Sequence, residues 1–413
     1  MSHGRRNSSE RDSPDAPVAL PLDGVIVADL TQNVAGPFCT QVLGDMGADV
    51  IKIERPARGD DARAWGPPFW AGESAAFLAM NRNKRSLALD LKQDAGLAVL
   101  KQLIRRSDIF VQSLRAGVVD EMGLGFLSAR ELNARLVYCS VTAFGARGPL
   151  RDLPGYDPLM QAYSGIMSVN GTPGAEPARV GTSIVDMGTG MWAAIGILAA
   201  LRERDATGRA VEVTTALFET ALMWMSYHAM GYLGSGDVPQ RHGSGVGMIV
   251  PYQAFPTADG WAMIGAGSDA LFRRLASALD VPELADDARY RDNPSRVRHR
   301  GSLIEAISAR TRQWKTDDLI TAMRAAGVPS APILAVDGAL AEPQTRASGV
   351  LVESPHPRIP DFRSIGLPIE WNGDRPPVRR VPPALGEHSD EILTALGYST
   401  ADIRALRAQG VIA

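Results

Sequence analysis

Apolar residues in the first half of the chain fall into short unbroken runs, separated by stretches where they recur at helical spacing. Residues 24–30 (GVIVADL) form one such run, the pattern of a strand covered on both faces. The turn TQNVAG follows, and then PFCTQVLGDMG, where Phe38, Val42, Leu43 and Met46 lie near helical spacing. Pro37 suits a first helical turn and Gly47 the position just past the end. Residues 49–54 (DVIKIE) make a second strand. Together these pieces predict a βαβ unit whose phosphate-handling turn is the Gln32–Gly36 loop. The pattern then repeats. Leu97, Leu100, Leu103 and Ile104 share one face of a helix over 93–106, with strands over 107–113 and within 135–145. An apolar helix expected to be buried, Met191–Leu201, and a strand over 210–216 continue the series. Such alternation predicts an α/β fold: a Rossmann-like large domain of mostly parallel, doubly wound sheet with helices on both faces.

The character changes near residue 240. Strand-like runs flank the turn pair Asp259–Gly260, and helices follow near 268–279, 301–312 and 316–325. This predicts a smaller α+β domain over 225–335, set apart from the large domain over 20–224. The proline-rich stretch 353–384 reads as a long surface connection, and the last residues as two short helices. Ser399 and Asp402 have capping-box spacing for the second of these. Residues 336–413 are therefore expected to connect and return to the large domain. Residues 1–19 are polar and lack an apolar core, which predicts a disordered tail and not a signal peptide. The longest apolar run, Met191–Leu201, is too short to span a bilayer.

Composition narrows the chemistry. A chain of 413 residues exceeds the size at which one core stops growing. The net charge of -3 is spread without a basic stripe, so no nucleic-acid partner is expected. Cys39 and Cys139 are the only cysteines, which rules out a disulfide framework, and neither cysteines nor histidines show metal-ligand spacing. A reducing cytoplasm fits, and no metal is expected. The first turn lacks G-x-G-x-x-G. Arg55, just past the second strand, suits a ribose phosphate of the kind NADP and coenzyme A carry; a solvated strand-end arginine is the plain alternative. GSGVG (243–247) lacks the Lys-Ser/Thr of a P-loop. It is either a hinge or a lid whose amides close over a reacting carbonyl. Asp186 precedes the long apolar helix. It is either an N-cap or a carboxylate held ionised by the helix N-terminus and able to act as a nucleophile. Tyr156 and Asp157, in PGYDPLMQAYSG, fill a turn or bring a hydroxyl that steadies a carboxylate or an oxyanion.

Several blocks taken together carry a resemblance. They are PLDGVIVADLTQNVAGPFCTQVLGDMGADVIKIERPARGDDAR, NRNKRSLALDLK, AGVVDEMGLG, GYDPLMQAYSG, VGTSIVDMGTGMWAAIGILAAL and LGEHSDEIL. In this order and spacing, the chain from about residue 20 to 413 resembles the family III CoA-transferases, the group containing formyl-CoA and carnitine-type CoA-transferases. The resemblance implies an interlocked, ring-like homodimer. It also implies that Asp186 is the catalytic aspartate and that Tyr156 is an active-site tyrosine. Arg55, Leu89 and Lys92 match positions that contact the nucleotide part of CoA. Asn33 joins them as a CoA-binding residue, and Gly243, Gly245 and Gly247 occupy the region of a glycine lid. The chain departs from the formyl-specific pattern at Val34, Ser113, Leu114 and Glu121, and its glycines alternate where that group has a consecutive run. A formyl/oxalate substrate pair is therefore not expected.

The implied reaction moves CoA from an acyl-CoA donor to a small carboxylic acid, through an aspartyl anhydride and an aspartyl-CoA thioester. CoA and acyl-CoA are substrates, and no further cofactor, membrane or nucleic acid is expected. The alternative on the same fold is an acyl-CoA racemase. That reaction needs two proton-transfer groups at the α-carbon, and this chain has Tyr156 where racemases place a histidine. An NADP-dependent oxidoreductase and a CoA-binding protein without activity are the further alternatives. For the acids exchanged, Arg58 and Arg63 are the arginines considered for meeting a dicarboxylate. Trp65, Phe69 and Trp70 either line an acyl pocket or simply pack.

Overall fold

Residues 20–413 are described by a computed structural model, and the tail expected over 1–19 lies outside the described residues. The described chain divides into two units: 20–157 with 183–220 and 348–413, and 158–182 with 221–347.

In the first unit the apolar runs become the strands of a parallel sheet. They are β1 (Ile26–Leu30), β2 (Asp49–Glu54), β3 (Lys84–Ala88), β4 (Ile109–Gln112), β5 (Val137–Thr142) and β6 (Val211–Ala216), in the order β3-β2-β1-β4-β5-β6. Each pair is parallel, with Val27 opposite Val50 on one side of β1 and opposite Ile109 on the other. This is the doubly wound order, in which the direction of winding reverses between β1 and β4. The connecting helices include α1 (Ala35–Asp45), α2 (Ala75–Met80), α3 (Asp94–Arg106), α4 (Phe126–Leu132) and α5 (Ile184–Thr207). Gly47, just past α1, has φ of 113°, a conformation open to glycine.

Alternate strand residues face opposite layers. Ala28, Leu30, Ile51, Ile53 and Leu87 join one buried cluster with Leu100 and Leu103 of α3, Ala129 of α4, and Ile392 and Leu406 near the C-terminus. The C-terminal helices, Ser389–Leu396 and Thr400–Ala408, thus help to cover the sheet, and the second carries the expected Ser399–Asp402 capping box. Strand β3 has no apolar run to announce it. Its Lys84, Arg85 and Ser86 are buried because each finds a partner: Lys84 meets Asp29, Arg85 meets Asp49 and Glu391, and Ser86 meets Glu54.

Helices α1 and α5 cover the other face. Helix α5 extends well beyond the apolar run Met191–Leu201, the run read as too short to span a bilayer, and the whole helix is long and apolar enough to do so. Half of it is buried, however, and it is a core helix. Met191, Trp192 and Ile195 remain exposed, so only one side of it packs. On that side Gly188, Thr189 and Gly190 are buried. A Cβ at Gly190 would sit 2.5 Å from the Ala35 carbonyl oxygen and 3.2 Å from the Cys39 nitrogen. The two helices therefore meet backbone to backbone.

In the second unit, strands Ser330–Pro332, Trp261–Gly265 and Tyr252–Pro256 form an antiparallel sheet. The Thr257 amide donates to the Gly260 carbonyl (2.9 Å) at the expected turn. Helices Asp269–Ala278, Arg300–Thr311 and Thr316–Ala325 close a core of Phe255, Ile264, Phe272, Leu303 and Leu319.

The helix contact sets a stability test. Gly190→Ala forces a methyl against main-chain oxygen that cannot rotate away, and is expected to destabilise the protein by about 1–3 kcal/mol. Gly301→Ala, where nothing lies within 4 Å, is expected to lose nothing. Thermal denaturation of both variants against the parent checks the pair. Equal melting temperatures would refute the close contact.

Candidate active site

Strands β1 and β4 are neighbours, but the chain leaves them toward opposite faces, and a crevice opens past their ends. Two cavities occupy it, of about 390 and 460 Å³. The first is lined by Gln32–Gly36, Ser113, Arg115, Tyr156 and Asp186 among others. The second contains Arg55, Gly59, Leu89, Lys92 and Met122. Gln32, Leu114 and Val118 belong to both walls.

The Gln32–Gly36 loop is pinned by charges buried under it. Lys52 Nζ donates to the Thr31 carbonyl (2.9 Å) and to Asp60 Oδ2 (2.8 Å). Asp60 Oδ1 accepts the Asn33 amide (2.9 Å), and Ser113 Oγ accepts the Gln32 amide (3.2 Å). Asn33 has φ of 69°, a left-handed conformation that asparagine tolerates better than most residues. Behind the loop, Lys84 Nζ reaches the Pro37 carbonyl (2.9 Å) and Asp29 (3.2 Å). Burial alone would raise the Asp29 carboxyl, but Lys84 and Lys52 outweigh it and hold it below its ordinary value. Burial would likewise lower Lys52, and Asp60, Asp29 and Glu54 raise it instead. Lys84 goes the other way: burial brings it down to about 8 despite Asp29 beside it. Each buried group of the network has a partner of opposite sign.

With Gln32 and Asn33 committed, the amides of Val34, Ala35 and Gly36 are left. They stand at the start of α1, where helix geometry leaves N–H groups unpaired, and Val34 provides no side-chain cap. None of the three donates to a group of the described chain. They line the same cavity as Asp186.

Asp186 lies in the first turn of α5 and is not its N-cap; that position is Ser183, which makes no side-chain cap bond. The capping carboxylate comes from Asp157. Its Oδ2 accepts the Val185 amide (2.8 Å) and the Asp186 amide (3.3 Å). The N-cap expectation for Asp186 failed because the helix begins two residues before it. The expectation that the helix end keeps Asp186 ionised also reverses. Burial first, and the Asp157 carboxylate second, push Asp186 up to about 7. Both effects penalise the carboxylate.

Other residues distinguished in the sequence separate into groups. Tyr156 is exposed in the cavity with Asp186 and Asn33. Arg55, Leu89 and Lys92 come together in the second cavity, where Arg55 pairs with Asp61 and donates to the Gly59 carbonyl (3.2 Å). Gly243, Gly245 and Gly247 lie in the second unit. There the Gly243 amide donates to Gly171 (3.0 Å) and the Gly245 amide to His242 (3.0 Å), while Arg300 holds the Gly247 carbonyl (2.9 Å). Arg63 is committed to Glu54 by two bonds of 2.7 Å, and Arg58 lines neither cavity. Trp65 lines the first cavity, whereas Trp70 packs on Phe362 with ring centres 5.4 Å apart. Of the departures, Val34, Ser113 and Leu114 line the first cavity and Glu121 does not. Lys52, Asp60 and Arg115 drew no notice in the sequence. The available signal was a lysine in the middle of a strand whose neighbours are all apolar.

The chain matches the model of CoA-transferase family III over residues 22–389. It is 37% identical over 410 residues to the succinyl-CoA:glutarate CoA-transferase of Homo sapiens, covering 99% of this chain and 94% of that protein. It is 38% identical over 382 residues to the succinate–glutarate CoA-transferase of Agrobacterium fabrum, covering 91% and 96% respectively. Among solved structures, a CAIB/BAIF family protein from Brucella suis superposes with a TM-score of 0.82 at 36% identity, covering 92% of this chain and 100% of that one.

An Asp186 that titrates near 7 has a kinetic consequence. Any reaction that uses its carboxylate as the nucleophile rises with pH through that value and fades below it. Asp157→Asn removes the neighbouring charge while keeping an oxygen to cap the helix, so the acid limb of kcat/KM for an acyl-CoA is expected to move to lower pH. An unmoved limb in that variant would assign it to another group.

Proposed function

The chain belongs to CoA-transferase family III and moves CoA between acyl-CoA and carboxylic acids; on that premise we propose that Asp186 carries the acyl group. The observation behind this is one cavity holding a part-buried, uncapped carboxylate and three unpaired helix-end amides.

The Asp186 carboxylate attacks the donor thioester carbonyl, the carbon–sulfur bond breaks, and CoA thiolate leaves a mixed anhydride behind. The thiolate then attacks the aspartyl carbonyl and expels the donor acid as its carboxylate. The acceptor carboxylate attacks this aspartyl-CoA thioester, releasing thiolate and forming a second anhydride. Attack of the thiolate on the acceptor side yields the new acyl-CoA and returns Asp186. Every step exchanges one activated carbonyl for another, so no external energy source enters. Each passes through an oxyanion, and the Val34, Ala35 and Gly36 amides are the donors suited to it. The Gly243 and Gly245 amides already have acceptors, which favours α1 for that role.

A carboxylate with its pKa near 7 is a stronger nucleophile than an ordinary one and is still substantially ionised at neutral pH. Tyr156 offers a hydroxyl to the incoming carboxylate. Arg55, Lys92 and Leu89 hold the phosphorylated ribose and adenine end of CoA, with Asn33 toward the thioester end. The relatives named above act on succinyl-CoA, succinate and glutarate, and we extend dicarboxylates to this chain as its substrate class. The same reading carries an interlocked homodimer in the cytoplasm.

Transfer from succinyl-CoA to glutarate, followed as glutaryl-CoA by mass spectrometry, tests this. Asp186→Asn is expected to lose about 10³-fold or more in kcat while succinyl-CoA still binds. Retained turnover in that variant would refute the covalent role. Exchange of the α-hydrogen in deuterated water without an acceptor would favour an isomerase instead.

A further inference from the structure

The first cavity carries five charged side chains in its walls: Asp61, Arg115, Arg151, Asp152 and Asp186. Two of its acids already have a cation beside them. Asp61 pairs with Arg55, and Asp152 pairs with Arg151 (3.3 Å). Asp186 and Arg115 remain, with no ion pair to either among the described residues. They enter from different elements, Asp186 from the first turn of α5 and Arg115 from the loop that follows β4. Arg115 is exposed and lines the cavity, and the loop that bears it ends at Gly117, with φ of 84°. Arg58 and Arg63, the arginines the sequence suggested, do not compete for the role, one being outside the cavity and the other held by Glu54.

A cavity with one unpaired anion and one unpaired cation favours a particular ligand. The reacting carbonyl must lie at Asp186. A monocarboxylic acid then leaves Arg115 facing an alkyl chain. A dicarboxylic acid instead presents a second carboxylate, which is costly to desolvate unless a cation meets it. We propose that Arg115 anchors the distal carboxylate of a dicarboxylic acid whose proximal carbonyl reacts at Asp186. The guanidinium selects dicarboxylates over acids of the same length. This rests on the transferase reading above and assigns that reading a specificity-determining residue.

The test compares glutarate with pentanoate, which has the same five-carbon chain but a methyl group in place of one carboxylate. Succinyl-CoA is the donor, and kcat/KM is measured for both acceptors. In Arg115→Gln the glutarate-to-pentanoate ratio is expected to fall about tenfold or more, and Arg115→Lys is expected to recover part of it. A ratio within about twofold of the parent in Arg115→Gln overturns the proposal. So does an equal fall for both acceptors accompanied by weaker binding of free CoA in calorimetry, which would place Arg115 on the coenzyme. A parent enzyme that uses pentanoate and no dicarboxylate would instead sink the dicarboxylate reading itself, and the parent assay alone reveals that outcome.

Discussion

The crossing of α5 over α1 is the contact on which the site depends. At Gly190 the two helices approach until no Cβ fits between them. One turn earlier on α5 is Asp186, and at the start of α1 are the unpaired amides of Val34, Ala35 and Gly36. A larger residue at 190 would push against the α1 backbone and shift the start of α5, which carries Asp186, relative to the start of α1. Catalysis by preorganised dipoles requires this kind of rigidity, since an amide displaced by an ångström loses most of its effect.

A second constraint supports the first. Asp29, Lys52, Lys84 and Asp60 are buried charges under the loop that precedes α1. Burying them is costly, and a hydrophobic set of similar volume would serve stability as well. Their hydrogen bonds run to the Thr31 carbonyl, the Pro37 carbonyl and the Asn33 amide, which are the backbone groups that set the loop's path. Asn33 in its left-handed conformation is the visible sign of that path. The charges thus fix the path of the loop that leads into Val34, Ala35 and Gly36, which line the cavity.

The sheet was legible where apolar residues outnumber the buried charges, Asp29 in β1 and Lys52 and Glu54 in β2. β1 and β2 announce themselves as runs, and Pro37 and Gly47 mark the ends of α1. β3 was silent because its lysine, arginine and serine are buried through polar partners far away in sequence. The start of α5 was misplaced for a related reason. Gly188, Thr189 and Gly190 interrupt the apolar run, yet they are buried, since small size and not hydrophobicity is what that face requires. Asp186 was visible as a candidate from its place before the helix. Its raised pKa was not, because that depends first on burial in the fold and then on Asp157, 29 positions away along the chain. Arg115 has no sequence signal at all; it stands out only when every other charge in the cavity except Asp186 has been paired.

The most direct measurement is chemical trapping at Asp186. Incubation with succinyl-CoA, addition of hydroxylamine and peptide mass spectrometry will report any activated aspartyl carbonyl as a hydroxamate. A hydroxamate at Asp186, dependent on the acyl-CoA, is predicted. Continued CoA transfer with Asp186 unmodified, or a hydroxamate at another residue, would contradict the account.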